Sequence, residues 1–336
     1  MTKKHSEVKT IYDIAKMANV SASTVSRVIN NKPGIGEKTR ERIQLLLEEY
    51  SYMPNQIARN LVYRSSRTIG IMLCDITSVH HAIAAHIINQ ELMDKGYYSI
   101  LVNTETDKKN LADSFKRILQ KQVDGVILVG SPFQSPEMRE IILDHAENLP
   151  IAIINGQIEL PNVLNIVVDE KSGVTEIVGF FHEQERKHPL FVLDKVTPSN
   201  LLKQKGYEEG MRRFYPQQNP SVFYFNKEKN DSEAETQRLL QTFPETDAII
   251  FCIDLLAAQA LRAIRSAGRS IPKDIGVVGI DNSIYSEISY PRLSSLDNRI
   301  LDLSKLAADL LIENITNRKP FQNLLIQPQF IIREST

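Results

Sequence analysis

Residues 10–30 read TIYDIAKMANVSASTVSRVIN, and this stretch sets the organisation of the whole chain. Ile11, Ile14, Ala15 and Ala18 fall at offsets 0, 3, 4 and 7, one face of a helix. Thr10 can cap that helix, and Asp13 at the third helical position completes a capping box with Asp in place of the usual Glu. Asn19-Val20-Ser21 then interrupts the pattern. Ser21 can cap a second helix, SASTVSRVINN, with Val25, Val28 and Ile29 facing inward. Two short helices joined by a tight turn make a helix-turn-helix. The outward side chains of the second helix are Ala22, Ser23, Thr24, Ser26, Arg27 and Asn30. Small residues permit close approach to a major groove, Arg pairs with guanine, and Ser, Thr and Asn bond phosphates. An ordinary amphipathic helix with a solvated face would carry the same residue types, so this helix alone leaves both readings open.

A third helix is expected at about 37–50, with Ile43, Leu46 and Leu47 as its core face and Gly36 as N-cap. YMPNQIARNL follows at 52–61. Pro54 can open a short helix, but one too short to be stable alone in water. It is either a segment that folds on meeting a partner or a plain linker.

The net charge of −1 conceals an asymmetry. Residues 1–67 hold 12 Lys/Arg and 6 Asp/Glu, and residues 68–336 hold 28 and 35. A basic small segment on an acidic large one suits a polyanion-binding module, although a chance cluster of surface lysines would look the same. No apolar run approaches the ~20 residues needed to span a bilayer. The N-terminus lacks the apolar core of a secretory signal. A cytoplasmic protein with no membrane partner is expected. The two cysteines, Cys74 and Cys252, lie in apolar runs and read as buried thiols.

TIYDIAKMANVSASTVSRVIN followed by YMPNQIARNL resembles the headpiece and hinge of the LacI/GalR family of transcription regulators, without gaps over residues 9–63. The resemblance implies that Ala22, Ser23 and Arg27 read bases. Thr24, Ser26, Asn30, Tyr12 and Thr10 would fall on phosphates. Asn55 and Ala58 would approach DNA, and Leu61 would wedge into the minor groove at the operator centre. Such a wedge unstacks a base step and bends the duplex. Two hinge helices must pair to do this, so a homodimer and a pseudopalindromic operator are implied.

From Thr68 onward, apolar runs alternate with helical patterns. Candidate strands are 69–76, 98–104, 124–131, 150–155, 165–169, 189–194, 221–226, 247–254 and 275–281. Continuous apolar strands between helices indicate parallel sheets covered on both faces, and their number suits two doubly wound halves. The expected fold class is α/β: an all-helical headpiece plus two doubly wound parallel subdomains like those of periplasmic binding proteins. The resemblance divides the chain into a headpiece at 1–52, a hinge at 53–67 and an effector-binding and dimerisation domain at 68–336. In that domain subdomain N takes about 68–165 and 297–323, and subdomain C about 166–296 and 324–336. Crossings are expected near 165–169, 293–298 and 322–325, with a small-molecule effector between the halves.

Gln122-Val123-Asp124-Gly125-Val126-Ile127 looks like the family's third-strand entry. Asp254 matches a recurrent effector-contacting aspartate, or it caps a helix beginning at Leu255. Gly279-Ile280-Asp281-Asn282 resembles a family turn in which Asp281 reads as structural. Three features depart from the pattern. Ser78-Val79-His80-His81 replaces an Asn-Pro-aromatic-aromatic segment. Lys203, ahead of Gly206-Tyr207, replaces an arginine and can offer only a point charge. Asn298 replaces a common glutamine. The expected effector contacts are therefore His80, His81, Lys203 and Asp254, and the expected effector is a carbohydrate or derivative.

No catalytic triad, glycine-rich phosphate loop or metal-ligand spacing is present in the sequence. No cofactor, no metal and no enzymatic activity are expected. The main expectation is an effector-controlled repressor. A cytosolic small-molecule-binding protein or an enzyme on the same α/β fold, without operator binding, is the alternative.

Overall fold

The computed structural model describes residues 9–29, 31–52, 65–104, 107–226 and 231–336. The chain divides into two compact units, residues 1–66 and 67–336.

The first unit holds three described helices: α1 (Ile11–Met17), α2 (Ala22–Ile29) and α3 (Glu37–Glu49). The capping box read from Thr10 and Asp13 is present. The Asp13 N–H donates to Thr10 Oγ1 at 3.3 Å, and the Thr10 N–H donates to Asp13 Oδ2 at 2.8 Å. Asn19 takes a left-handed conformation, φ 50°, in the turn between α1 and α2. Asn tolerates that region better than most residues do. Ser21 Oγ accepts from the Thr24 N–H at 3.2 Å and so caps α2. Ile14, Ala15, Ala18, Val25, Val28 and Ile43 form one buried core, with Val20, Leu46, Leu47 and Tyr52 packed against it. One face of each helix supplies it, as the spacing required.

The second unit contains two six-stranded sheets. The first is built from β1 (Thr68–Leu73), β2 (Tyr98–Asn103), β3 (Gly125–Val129), β4 (Ile151–Ile154), β5 (Val163–Val168) and β11 (Leu324–Ile326). Its spatial order is β2-β1-β3-β4-β5-β11, parallel throughout. The second is built from β6 (Pro189–Leu193), β7 (Val222–Tyr224), β8 (Ala248–Phe251), β9 (Gly276–Ile280), β10 (Ser294–Asp297) and β12 (Gln329–Ile331), in the order β7-β6-β8-β9-β10-β12. Both repeat one doubly wound order, which reverses beside the first strand of each half. Only β12 runs antiparallel, against β10.

The central strands β3, β4, β6, β8 and β9 are buried at every position. Helices on both faces impose this, and it is why these strands read as unbroken apolar runs. In the first half α4 (Val79–Asp94) and α12 (Ile300–Asn317) share one core, while α5 (Lys108–Leu119) and α6 (Pro136–His145) share another. In the second half α7 (Glu170–Glu183), α8 (Pro198–Phe214), α9 (Ser232–Thr242) and α10 (Asp254–Ser266) contribute to a single core. The short helix α11 (Ile284–Ile288) completes the set of described α-helices.

The chain passes between the halves after β5, after β10 and after β11. The third passage lies at Gln327-Pro328, beyond the expected 322–325. Leu324-Leu325-Ile326 pairs in parallel with Ile166-Val167-Val168, so these three apolar residues extend the first sheet, not the second. The boundary placed at 324 therefore moves past Ile326. Strands β10, β11 and β12 were not among the candidate strands, being three or four residues long and, in β10, beginning Ser294-Ser295.

Candidate functional site

Two surfaces of the chain carry chemistry beyond packing, one on each unit. On the first, α2 buries Val25 and Val28 and turns Ser23 and Arg27 to solvent, with Ala22, Thr24 and Ser26 half-buried. Tyr12 is 75% exposed. The Thr10 hydroxyl is already engaged, donating to Asp13 Oδ2 at 2.8 Å. Ser21 Oγ pairs with the hydroxyls of Ser23 and Thr24 at 2.7 and 2.9 Å. Asn30, Asn55, Ala58 and Leu61 lie outside the described residues.

On the second unit a cleft opens where strand ends of the two sheets meet. Cys74-Asp75 follow β1, Gly130-Ser131 follow β3, Asn155 follows β4, Asp194-Lys195 follow β6 and Asp281 follows β9. Open α/β sheets bind ligands at this end, beside the reversal of strand order. One lobe of the cleft has a volume of about 190 Å³. A second lobe of about 400 Å³ shares Asp75, Ser78, His80 and Asp281 with it.

The cleft is organised around a buried ion pair. Lys203 on α8 and Glu170 at the start of α7 are 4% and 3% exposed. Lys203 Nζ lies 3.4 Å from Glu170 Oε1 and donates to the Cys252 carbonyl at 3.1 Å. Gly206 makes this approach possible. A Cβ there would collide with the Lys171 backbone carbonyl, so only glycine lets α8 pack this closely on the first turn of α7. The positive end of α7 also favours a carboxylate at Glu170. Burial opposes the Lys203 charge, but Glu170 and Asp281 outweigh it and hold the ammonium above lysine's usual range. Ser199 Oγ donates to Glu170 Oε2 at 2.6 Å. Asn298 Nδ2 donates to Glu170 Oε1 at 3.2 Å and to Asp281 Oδ1 at 3.0 Å.

His80 and His81 occupy the first turn of α4 and reach the same cleft. Burial, then the Lys203 charge, pulls the His80 imidazole down to about 4. Burial, then His80, does the same for His81, also to about 4. Both rings are neutral at pH 7. His80 Nδ1 stands 3.5 Å from Asp281 Oδ1, without hydrogen-bond geometry. His81 Nδ1 is 3.1 Å from the Asp75 carbonyl. Gly130, at φ +115°, leaves room for the His81 ring, whose Nε2 a Cβ would meet at 3.3 Å. The Ser199 N–H donates across the cleft to Ser131 Oγ at 3.1 Å, tying the two halves together.

His80, His81 and Lys203 are thus brought into one lobe. Asp254 sits on the wall of the other, 1% exposed. Its Oδ2 accepts from the Ser283 N–H and Oγ at 2.6 and 2.8 Å, and its Oδ1 from Ser295 Oγ at 2.6 Å. Burial and the nearby Asp281 push its carboxyl up to about 7, against those hydrogen bonds. It does not cap the following helix. Helix α10 starts at Asp254 itself, with Ile253 as N-cap.

Asp281, read as structural from its turn, lines both lobes. Burial pushes its carboxyl upward, with Lys203 opposing. Glu170 was not singled out in the sequence. Its signal was a carboxylate opening a helix directly after an apolar strand, a position shared by many caps. Cys74 and Cys252 are buried free thiols, and burial pushes Cys74 up to about 11. Among the described residues no group of three or more His, Cys, Asp or Glu could hold a metal ion, and no helix is long and apolar enough to cross a membrane.

Comparison with known proteins finds matches to both units. Residues 10–55 match the model for bacterial regulatory proteins of the lacI family, and residues 178–336 match that for a periplasmic binding protein-like domain. An HTH-type transcriptional regulator of Lachnoclostridium phytofermentans is 30% identical over 332 residues, covering 97% of this chain and 99% of that protein. The ribose operon repressor of Halalkalibacterium halodurans is 28% identical over 331 residues, covering 97% of each. The fold matches the lac repressor dimer bound to operator and the anti-inducer ONPF, with a TM-score of 0.88 at 21% identity over 98% of this chain and 99% of that one. Full-length likeness to named regulators sets aside the enzyme alternative. With a helix-turn-helix at its N-terminus and paired α/β halves behind it, this chain belongs to the lacI family of bacterial regulatory proteins and is a DNA-binding transcription regulator.

Proposed function

We propose that the protein is a repressor whose operator affinity is set by a small molecule held in the cleft between its α/β halves. The observation that carries this reading is the convergence of His80, His81, Lys203, Glu170, Asp281 and Asn298 on one cleft between two chemically distinct walls. Such a cleft changes shape when its halves move, and a ligand touching both walls binds one arrangement better than another. That differential affinity is what shifts a two-state equilibrium.

Ala22, Ser23 and Arg27 read bases, while Tyr12, Thr24, Ser26 and Asn30 contact phosphates. Thr10, at the cap of the helix that carries Tyr12, falls with it on the phosphates. Asn55 and Ala58 approach the DNA from the hinge, and Leu61 wedges into the minor groove. The working form is a cytoplasmic homodimer on a pseudopalindromic operator. The effector is a carbohydrate or derivative; support comes from the relative named as a ribose operon repressor.

The test is fluorescence anisotropy with labelled DNA from upstream of the protein's own gene, at graded salt and with a panel of sugars. Nanomolar binding to one pseudopalindrome, lost or gained with one sugar, is expected. Equal affinity for every duplex tried would overturn the operator reading. Operator binding indifferent to every sugar would overturn the choice of effector.

A further inference from the structure

We infer that the cleft takes a non-acidic polyhydroxy ligand, one that brings hydroxyl or amino protons and carries no carboxylate or phosphate. This rests on the cleft being the effector site. Chemistry fixes two acceptor atoms of the cleft residues.

Asn298 is 1% exposed, and its Nδ2 donates to two carboxylates, Glu170 and Asp281. A carboxylate cannot donate to an amide oxygen, so the amide orientation is determined. Its Oδ1 is then an acceptor, buried and without a hydrogen-bond partner. His81 Nδ1 faces the Asp75 backbone carbonyl, which only accepts, so Nδ1 carries the proton. In a neutral ring the opposite nitrogen, Nε2, is a bare acceptor. An acceptor left unpaired costs free energy, and His81 Nε2, on a half-buried ring that lines the cleft, can take a ligand proton that removes that cost.

The cleft's charges point the same way. The one buried ammonium, Lys203, already faces Glu170 at 3.4 Å and lies under the influence of Asp281. Asp75, Asp194 and Asp281 stand in the same lobe, with Lys195 exposed at its edge. An entering anion would meet carboxylates in a partly desolvated space and no unneutralised cation deep in the cleft. Neutral imidazoles at His80 and His81 give it none either.

The experiment is calorimetric titration of the full-length protein with skeleton-matched sets: glucose, glucosamine, glucuronate and glucose 6-phosphate, and the equivalent galactose and ribose sets. A neutral or amino member is expected to bind at least a hundredfold tighter than its acidic counterparts. An acidic member binding within tenfold of its neutral partner overturns the inference while leaving the cleft reading intact. Binding of no member in any set, with the protein folded, overturns both. Glu170→Gln supplies a second arm, since it leaves the Lys203 charge unneutralised. It is expected to narrow the gap between neutral and acidic members by at least tenfold, and an unchanged gap overturns the assignment of anion exclusion to this pair. If that variant does not fold, the wild-type titrations decide.

Discussion

The headpiece and the cleft solve opposite problems with the same twenty side chains. The headpiece presents Ser23 and Arg27 from a single eight-residue helix, α2, and packs its own small core behind them. Position along that helix decides exposure, so Ser23 and Arg27 face out because Val25 and Val28 face in. The cleft takes His80, Glu170, Lys203, Asp281 and Asn298 from segments up to 218 positions apart; Glu170, Lys203 and Asn298 are buried, His80 and Asp281 half-buried, and all are mutually dependent. An exposed site of this kind loses a member without loss of folding stability. A buried polar network does not, since removing one group strands its partners.

The largest effect that would sharpen this contrast comes from Glu170→Ala. It leaves Lys203 buried without its carboxylate and is expected to cost the second unit about 3–5 kcal/mol. Urea denaturation followed by near-ultraviolet circular dichroism measures it, and a loss below about 1 kcal/mol would show that the pair is not the cleft's organising element.

Arg27→Ala should leave stability unchanged, while costing about 1–3 kcal/mol in operator affinity and relaxing base preference at one position. A uniform loss across all sequences would instead make Arg27 a phosphate contact. The sequence dependence of the loss thus separates reading from holding.

Titration gives a subtler test within the cleft itself. The folded pKa of His81, about 4, lies below the unfolded value near 6.5, so its contribution is present above 6.5 and lost as pH falls through 4. Asp254 behaves oppositely. Its folded value of about 7 lies above the unfolded one near 3.9, so folding gains from it as pH falls from 7 towards 4. Between pH 4 and 6.5 His81→Gln should lower the slope of stability against pH, and Asp254→Asn should raise it. Each change is up to ~1.4 kcal/mol per pH unit. Slopes shifting in the same direction would contradict these environments.

The smallest effect is expected at the headpiece cap. Thr10→Ala removes one side-chain acceptor at the start of α1 and should cost about 1 kcal/mol of headpiece stability. A thermal melt of the full chain would show this while leaving the second unit's transition in place. Displacement of both transitions would break the picture of two independently packed units.

The headpiece was legible in the sequence almost residue by residue. Its capping box joins Thr10 to Asp13 and its core face repeats every three or four positions, because helical hydrogen bonds and packing act between near neighbours in the chain. The central strands among the nine candidates were equally legible, since parallel strands buried on both faces read as unbroken apolar runs. Strands β10 to β12 were hidden because β10 opens with Ser294-Ser295, while β11 and β12 are three-residue edge strands with exposed positions. In the cleft, the sequence marked His80, His81 and Lys203 only as departures from a pattern.

The sequence by itself therefore determined the helix-turn-helix and the α/β class, both of which rest on local propensity and short-range periodicity. Only the tertiary structure decided that Lys203 meets Glu170, that Asp281 faces the cleft, that Asp254 is spent on Ser283 and Ser295, and that the last crossing lies at 327–328. Those facts depend on which strand ends converge and on which neighbour accepts each buried proton. Charge and hydrogen-bond partners of that kind are set across space, where spacing along the chain carries no information about them.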